Sequence, residues 1–374
     1  MEFEIDQASF QAALMLASTV ADHRSTMPVL GNVLLTAESA AETQEHGRVI
    51  CRATDMMLFV TERFPADVHK SGSISLAVRH LHHLIKTLPP GTVSVSSLDN
   101  HWAQIKTARS EFRLMGMAEH DFPEFPEPTD INFTEVSSRA LAQLIQRTVF
   151  SVSTDEARLN LNGALFESDG SMATMVSTDG HRLTKLTLPL AGPDLAERGG
   201  VVIPRRGLIE LRRVLERVGA DVQLGIGAEH LFLRTSTVHL AVKLISIAFP
   251  PYRQVIPKSR QRFVDLGRKE LLSMLRQAQV LAPGITATIR LELQPGTLKL
   301  SADNPELGVG NQELDVDYDG EGLAAGFNAS YLIDGLEAID ADQVRLEFQG
   351  ELDPCVIRPI DGPDYLAVVM PMRI

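Results

Sequence analysis

The stretch FEIDQASFQAALMLAS (3–18) reads as a short apolar strand running straight into an amphipathic helix. The same reading recurs in FTEVSSRALAQLIQRT (133–148) and FVDLGRKELLSMLRQA (263–278), whose first residues Phe3, Phe133 and Phe263 are two steps of 130 apart. Working outward, a second landmark follows each: GNVLLTAES (31–39), LNGALFESDG (161–170) and ATIRLELQPG (287–296). A third is ATD (53–55), STD (177–179) and SAD (301–303), whose aspartates Asp55, Asp179 and Asp303 are spaced by 124 each time. The fourth is SLAVRHLHHLIKTL (75–88), VVIPRRGLIELRRVL (201–215) and LAAGFNASYLIDGL (323–336). Four landmarks in one order at near-constant spacing mark a threefold internal repeat. The 374 residues therefore divide into three homologous domains, 1–128, 129–257 and 258–374.

Each repeat restarts halfway. After a helix at Phe10–Val20, strands are predicted at Asn32–Thr36, Val49–Ala53 and Leu58–Phe64. Ser73–Val78 is then a strand and Arg79–Leu88 a helix, with Leu81, Leu84, Ile85 and Leu88 at helical spacing. Three more strands end at EFRLMGM (111–117). A β-α-β-β-β unit used twice gives two helices and about eight strands per domain, an α+β fold with both helices on one sheet face. Proline clusters FPEFPEPTD (122–130) and FPPYRQVIPKS (249–259) read as extended linkers between repeats.

Composition narrows the function. The formal charge of −13, from 48 acidic against 35 basic residues, argues at first sight against a nucleic-acid partner. Only Cys51 and Cys355 occur, without metal-ligand spacing, so neither a disulfide framework nor a structural metal is expected. The start MEFEIDQ lacks the basic and apolar regions of a signal peptide, and no apolar run is long enough to span a bilayer, so a cytoplasmic protein is expected.

The acidity is not evenly spread. The helical segments 6–22, 79–87, 136–148, 204–217, 267–277 and 328–340 carry −2, +2, +2, +3, +2 and −3, together +4, which leaves −17 on the rest of the chain. Helices that merely expose mixed charge would be one explanation. The other is a helical surface that faces a polyanion while the outer sheets stay acidic.

With three such repeats, TDGHRL (178–183), PVLGN (28–32) and the terminal VVMPMRI (368–374), the chain closely resembles, from end to end, the bacterial DNA polymerase III β subunit family of sliding clamps. The resemblance implies three clamp domains in a crescent, two of which close head to tail into a six-domain dimeric ring. Such a ring encircles double-stranded DNA without sequence preference, tethers the replicative polymerase as a processivity factor, and does no catalysis of its own. It implies as partners a second copy of the chain, the polymerase III α subunit, the clamp loader and other proteins carrying short clamp-binding peptides, with no cofactor, no metal and no membrane. A sliding tether needs phosphate attraction rather than base contacts, since topology retains it.

By the same resemblance, DNA contacts map onto Arg24, Arg158, Arg205 and Arg206, each of which could instead be an ordinary solvated arginine. Some relatives carry aromatics after the arginine equivalent to Arg158, where this chain has Leu159 and Asn160. The partner-peptide pocket maps onto Leu161, Thr178, Gly180, His181, Arg182 and Leu183, then Pro250 and Val255, then Asn328 and Tyr331. Its last members are Val368, Met370, Pro371, Met372 and Arg373, where Val368 could equally belong to a terminal core strand. Leu, Val and Met offer an adaptable apolar surface to an extended peptide. Gln254 and Thr286 depart from the arginine and aromatic of relatives, which shifts the expected peptide preference. The ring interface maps onto Phe112 and Leu114 on an edge strand, meeting Val280 and Leu281 at a helix end, although all four also suit a core. Only Glu306 and Glu313 follow Asn304-Pro305, where relatives carry several acids.

Enzyme chemistry finds little footing. Asp179 and His181 share a turn, but no nucleophile motif accompanies them. His80, His82 and His83 lack a completing carboxylate for a metal. GIGAEH (225–230) has no third glycine or following helix, and no Walker motif occurs. A repeat scaffold that binds peptides but not DNA stays as the remaining alternative.

Overall fold

In the computed structural model, which describes residues 1–40, 47–155, 157–257, 262–284 and 288–373, six helices and 25 strands follow one another in the repeating order read above. The first repeat runs β1 (Glu2–Asp6), α1 (Gln7–Val20), β2 (Asn32–Glu38), β3 (Arg48–Thr54), β4 (Leu58–Pro65), β5 (Asp67–Lys70) and β6 (Gly72–Ala77). It continues with α2 (Val78–Thr87), β7 (Thr92–Ser97), β8 (Trp102–Lys106) and β9 (Glu111–Met117). The second has β10 (Phe133–Val136), α3 (Ser138–Gln146), β11 (Gly163–Ser168), β12 (Met172–Thr178) and β13 (Arg182–Pro189). It ends with β14 (Val201–Pro204), α4 (Arg205–Val218), β15 (Val222–Ile226), β16 (His230–Arg234) and β17 (Val238–Lys243). The third has β18 (Arg262–Gly267), α5 (Arg268–Leu281), β19 (Thr288–Gln294), β20 (Thr297–Asn304) and β21 (Gly308–Asp315). Last come β22 (Leu323–Asn328), α6 (Ala329–Glu337), β23 (Gln343–Phe348), β24 (Cys355–Pro359) and β25 (Asp364–Val369). The four-residue β5 was not expected; it adds to the free side of β1.

Helix starts follow from local chemistry. Asp6 caps α1 by accepting the Ser9 amide at 3.1 Å, and Asn328 caps α6 by accepting the amides of Ser330 and Tyr331. Gly335 in α6 is where the helix lies against β25: a Cβ there would meet the Ala367 Cβ at 3.0 Å.

The chain forms two compact units. One comprises residues 1–138 and 213–244 and holds a 13-stranded sheet in the order β10-β15-β16-β17-β4-β3-β2-β6-β9-β8-β7-β1-β5. Its helices α1 and α2 bury Phe10, Leu14, Leu81 and Ile85, and the Gln7 side-chain amide donates to the Ile85 carbonyl at 2.7 Å. The other comprises 139–212 and 245–374 and holds an eight-stranded sheet, β14-β11-β12-β13-β25-β24-β23-β18, and a four-stranded one, β21-β20-β19-β22. There α5 and α6 are tied by Arg276 to Glu337 at 2.7 Å and by Gln279 to Ser330 at 2.9 Å. Both cysteines are buried free thiols.

Strand pairing, rather than a loose linker, joins the repeats. In the first unit β4 pairs β17 with Phe59 opposite Ala241, and in the second β13 pairs β25 with Leu183 opposite Val368. The proline stretch 122–130 holds no helix or strand and ends in a turn at Thr129 and Asp130, where φ is +55° at Asp130, and it is pinned: Phe122 is buried with Val29, Leu30 and Leu34, and the Phe125 ring stacks edge-on against Phe59 at 5.3 Å. The turn landmark shifts in the third repeat. Asp55 accepts the amides of Met57 and Leu58, and Asp179 those of His181 and Arg182. Asp303 instead stays in β20 opposite Val309, and the next residue, Asn304, accepts the amides of Glu306 and Leu307.

Candidate functional site

The TDGHRL motif is the hairpin between β12 and β13, and its aspartate is a structural group. Besides the two turn amides, the Asp179 carboxylate receives the Arg182 guanidinium at 3.0 Å. Gly180 adopts a φ of +91°, open to glycine at no steric cost, while the Thr178 hydroxyl donates to the Arg182 carbonyl at 2.6 Å. This leaves the exposed His181 ring at the tip and occupies the acid that an acid–base pair would need.

Arg182 is a hub. It pairs with Asp179 and Asp334, donates to the Phe150 carbonyl at 2.7 Å, and lies 4.5 Å over the Tyr331 ring and 5.4 Å over Phe150. Burial, then the nearby Asp179 charge, push the Tyr331 hydroxyl pKa up, against the pull of Arg182. Asn328 is buried as the helix cap, so its oxygen serves the α6 amides.

The terminal residues run along the same hairpin. The Met370 amide donates to the His181 carbonyl at 2.9 Å, and the Met372 amide to the Gly326 carbonyl at 2.8 Å, so the tail passes from the edge of β13 to β22. Val368 and Leu183 lie wholly inside a cluster with Leu165, Val176, Val202, Tyr252 and Leu366. Leu161 is buried as well. Above this floor Met370, Val255 and Arg373 are exposed, and Pro250, Pro371 and Met372 half-buried. The Tyr252 hydroxyl, which donates to Glu167 at 2.8 Å, holds the 249–257 segment against the sheet. All fifteen residues assigned to the pocket thus fall in one compact unit, some as surface and some as the support beneath it. Gln254 is exposed, and Thr286 lies outside the described residues.

The arginines divide by role. Arg24, Arg158, Arg205 and Arg206 are all exposed, with Arg205 and Arg206 opening α4. Arg158 lies 3.4 Å from Asp155 and donates to the Asp179 carbonyl at 3.4 Å. Two helix charges counted from sequence serve internal pairs instead: Arg147 is buried against Asp340, and Arg217 reaches the buried carboxylate of Glu62. Sequence cannot see this, because the partners lie 193 and 155 residues away.

Two sheet ends are open. Among the described residues, 111–115 of β9 pair only with β8. Phe112 is exposed and Leu114 half-buried on one face, while Met115, 70% exposed, stands on the other. β21 ends the four-stranded sheet, with Val309 64% exposed beside exposed Leu307. Val280 is 71% exposed at the end of α5, and Leu281 is half-buried so close to β21 that a Cβ on Gly310 would meet its Cδ1 at 2.7 Å. Met115, Leu307 and Val309 were not singled out from sequence; the glycines around Val309 disguise its strand alternation. His80 and His83 are exposed on α2, His82 is half-buried, and no three potential metal ligands converge among the described residues. No helix among them is long and apolar enough to cross a membrane.

Comparison with known proteins is consistent along the whole chain. Three family models match in succession: DNA polymerase III beta subunit, N-terminal domain, over residues 1–126, central domain over 135–251, and C-terminal domain over 253–373. The beta sliding clamp of Pseudomonas aeruginosa is 32% identical over 376 aligned residues, covering 100% of both chains. The crystal structure of the DNA polymerase III subunit beta from the same organism superposes with a TM-score of 0.91 at 31% identity, again over 100% of both chains. A second structure from Pseudomonas aeruginosa, a sliding clamp bound to griselimycin, matches with a TM-score of 0.91 at 31% identity and the same coverage.

Proposed function

The chain belongs to the DNA polymerase III beta subunit family, the beta sliding clamps, and from that premise we propose how this clamp assembles and what it holds. It is a sliding clamp, a non-catalytic processivity factor of replication. The observation that carries this is the match of three domain models of one family in succession along the chain.

Two copies close into a ring of six domains, each chain contributing 1–128, 129–257 and 258–374. The β9 edge of one copy meets the β21 edge of the other, burying Phe112, Leu114, Val280 and Leu281 together with Met115, Leu307 and Val309. Two free edges with exposed apolar residues support this, because such edges are otherwise aggregation-prone. The ring encircles duplex DNA in the cytoplasm, and Arg24, Arg158, Arg205 and Arg206 attract phosphates without reading bases.

A short apolar peptide of the polymerase, the clamp loader or another partner lies across Met370, Met372, Pro250, Val255 and the His181 tip. Tyr331, Asn328, Thr178, Gly180, Pro371 and Arg373 border it. Leu161, Leu183 and Val368 set its floor from below, and Arg182 braces the wall.

Retention on DNA tests the whole reading. Loaded protein should stay on nicked circles through gel filtration and be lost once they are linearised; equal retention on both would refute encirclement. Light scattering should give twice the chain mass at micromolar concentration.

A further inference from the structure

The first repeat junction is built like the second, but its chemistry differs. Phe122-Pro123-Glu124-Phe125 corresponds to Phe249-Pro250-Pro251-Tyr252, 127 residues on, and β4 to β13, 124 residues on. Phe59 therefore stands where Leu183 stands, and the pairing register puts Ala241 in the place of Val368. At the second junction the strand residues of the floor are aliphatic, Leu165, Leu183 and Val368, with Tyr252 and Phe249 packed on them. At the first it is aromatic, Phe59 and Phe232 with Phe125 against them, and the groove beside it has a volume of about 780 Å³.

Arg52, Thr61, His239 and Arg234 form one row across four adjacent strands, each opposite the next in register. Arg63 lies two residues along β4, its guanidinium 3.2 Å from the His239 Nε2. This face points away from the helices: Glu62, between Thr61 and Arg63, turns to the other side and meets Arg217 of α4. Among the described residues no carboxylate lies within ion-pair distance of Arg52, Arg63 or Arg234; the nearby Glu38 is taken by Arg48 at 2.6 Å. Arg234 is held 4.0 Å over the Phe133 ring. Burial, then Arg63 and Arg234, lower the His239 pKa to about 4, so at neutral pH its ring adds no charge and can accept from Arg63. Three half-buried guanidiniums with no ion-pair partner among the described residues thus stand on an aromatic floor, in a part of the molecule expected to be acidic.

We propose that this groove binds an acidic peptide segment of a partner protein, with one or two carboxylates on Arg52, Arg63 and Arg234 and a neighbouring aromatic or aliphatic side chain on Phe59, Phe125 and Phe232. The guanidinium fork suits carboxylates in a bidentate manner. A continuous phosphate chain suits the groove less, because its opposite wall, residues 119–128, carries Glu119, Glu124 and Glu127. A peptide with neutral flanks avoids that repulsion.

The test uses the full chain and fluorescein-labelled ten-residue peptides, each with two adjacent glutamates beside a phenylalanine or leucine, followed by anisotropy at low salt. At least one should bind about 10-fold or more tighter than its glutamine counterpart, and Arg52→Gln and Arg234→Gln should each weaken it by about 10-fold. Deleting residues 370–374 should leave the affinity unchanged, which separates this site from the tail pocket. Hydrogen exchange on the unmodified protein gives a readout independent of variant folding: the peptide should protect 119–128 and 230–243. The proposal is overturned if no acidic peptide outperforms its glutamine form, if protection falls elsewhere, or if an oligothymidylate displaces the peptide and protects the same segments more strongly.

Discussion

Arg182→Ala separates a residue that touches the partner peptide from one that holds the pocket's wall in place. The side chain is only 13% exposed and makes every contact inward. Its pair with Asp179, 17% exposed, is shielded enough to contribute about 1–1.5 kcal/mol, and the pair with Asp334, 37% exposed, about 0.5 after allowance for solvent. The charged hydrogen bond to the Phe150 carbonyl contributes about 1, and the stack on Tyr331 about 0.5–1. These share one guanidinium and do not add fully, so the expected loss is about 2–3 kcal/mol. Urea denaturation should show it as a lower midpoint with unchanged slope. Peptide affinity should fall too, because Asp179 would lose the partner that fixes the hairpin under His181. Arg182→Lys keeps the charge but not the fork, and should recover less than half of the stability. A normal urea midpoint combined with lost peptide binding would refute the bracing role and make Arg182 a direct contact.

At the proposed ring closure, Phe112→Asp should raise the dimer dissociation constant by roughly 1,000-fold, since about 2 kcal/mol of apolar burial would be lost at each of two equivalent interfaces; sedimentation would show single chains. Arg158→Ala, Arg205→Ala and Arg206→Ala should each lower the slope of log affinity for linear duplex against log salt by about 1, whereas Arg147→Ala should leave that slope unchanged and lower stability. Burial raises the Glu62 pKa and Arg217 draws it back. A raised native carboxyl pKa gives stability present at low pH and lost as pH rises through it. Arg217→Ala raises it further, so the variant should lose about 2 kcal/mol at pH 8 and clearly less at pH 5; a loss independent of pH would contradict this.

The repeat, the helices and most strands were legible because each rests on local periodicity and on landmarks that recur at fixed spacing. Most of the failures depend on residues distant in sequence. β5 is four residues with little alternation and exists because β1 has a free side. The proline stretch looks like a linker, but Phe122 and Phe125 find a core made by residues 29–34 and Phe59. Asp303 fits the 124-residue spacing, yet the third hairpin turns one residue later because Asn304 offers the same amide-accepting side chain. At the tail, both the pocket and the core-strand reading of Val368 were open from sequence, and the structure buries Val368 while Met370 stays at the surface. The helix charge count treats every cation alike, whereas Arg147 and Arg217 are paired with the distant Asp340 and Glu62.

The two junctions show how a repeat separates geometry from chemistry. Backbone pairing fixes where side chains stand: β4 beside β17 and β13 beside β25 present the same positions in the same register. Substitution then decides what those positions do. At the tail, Leu183, Leu366 and Val368 share one apolar cluster, and Lys185, which stands between Leu183 and Thr187 on β13, is paired with Asp364 at 2.6 Å. At the first junction Arg63 and His239 occupy the places of Thr187 and Leu366, and the same curvature of sheet and linker now encloses cations. The net charge of −13 hides this as completely as it hides the exposed arginines of α4. Neutralising Arg63 and Arg234 together should therefore leave DNA retention and dimer mass unchanged while abolishing acidic-peptide binding, because the residues proposed for those functions lie elsewhere in the chain. A loss of DNA retention in that variant would show that this sheet face and the helices act as one surface, contrary to the separation argued from the Glu62–Arg217 pair.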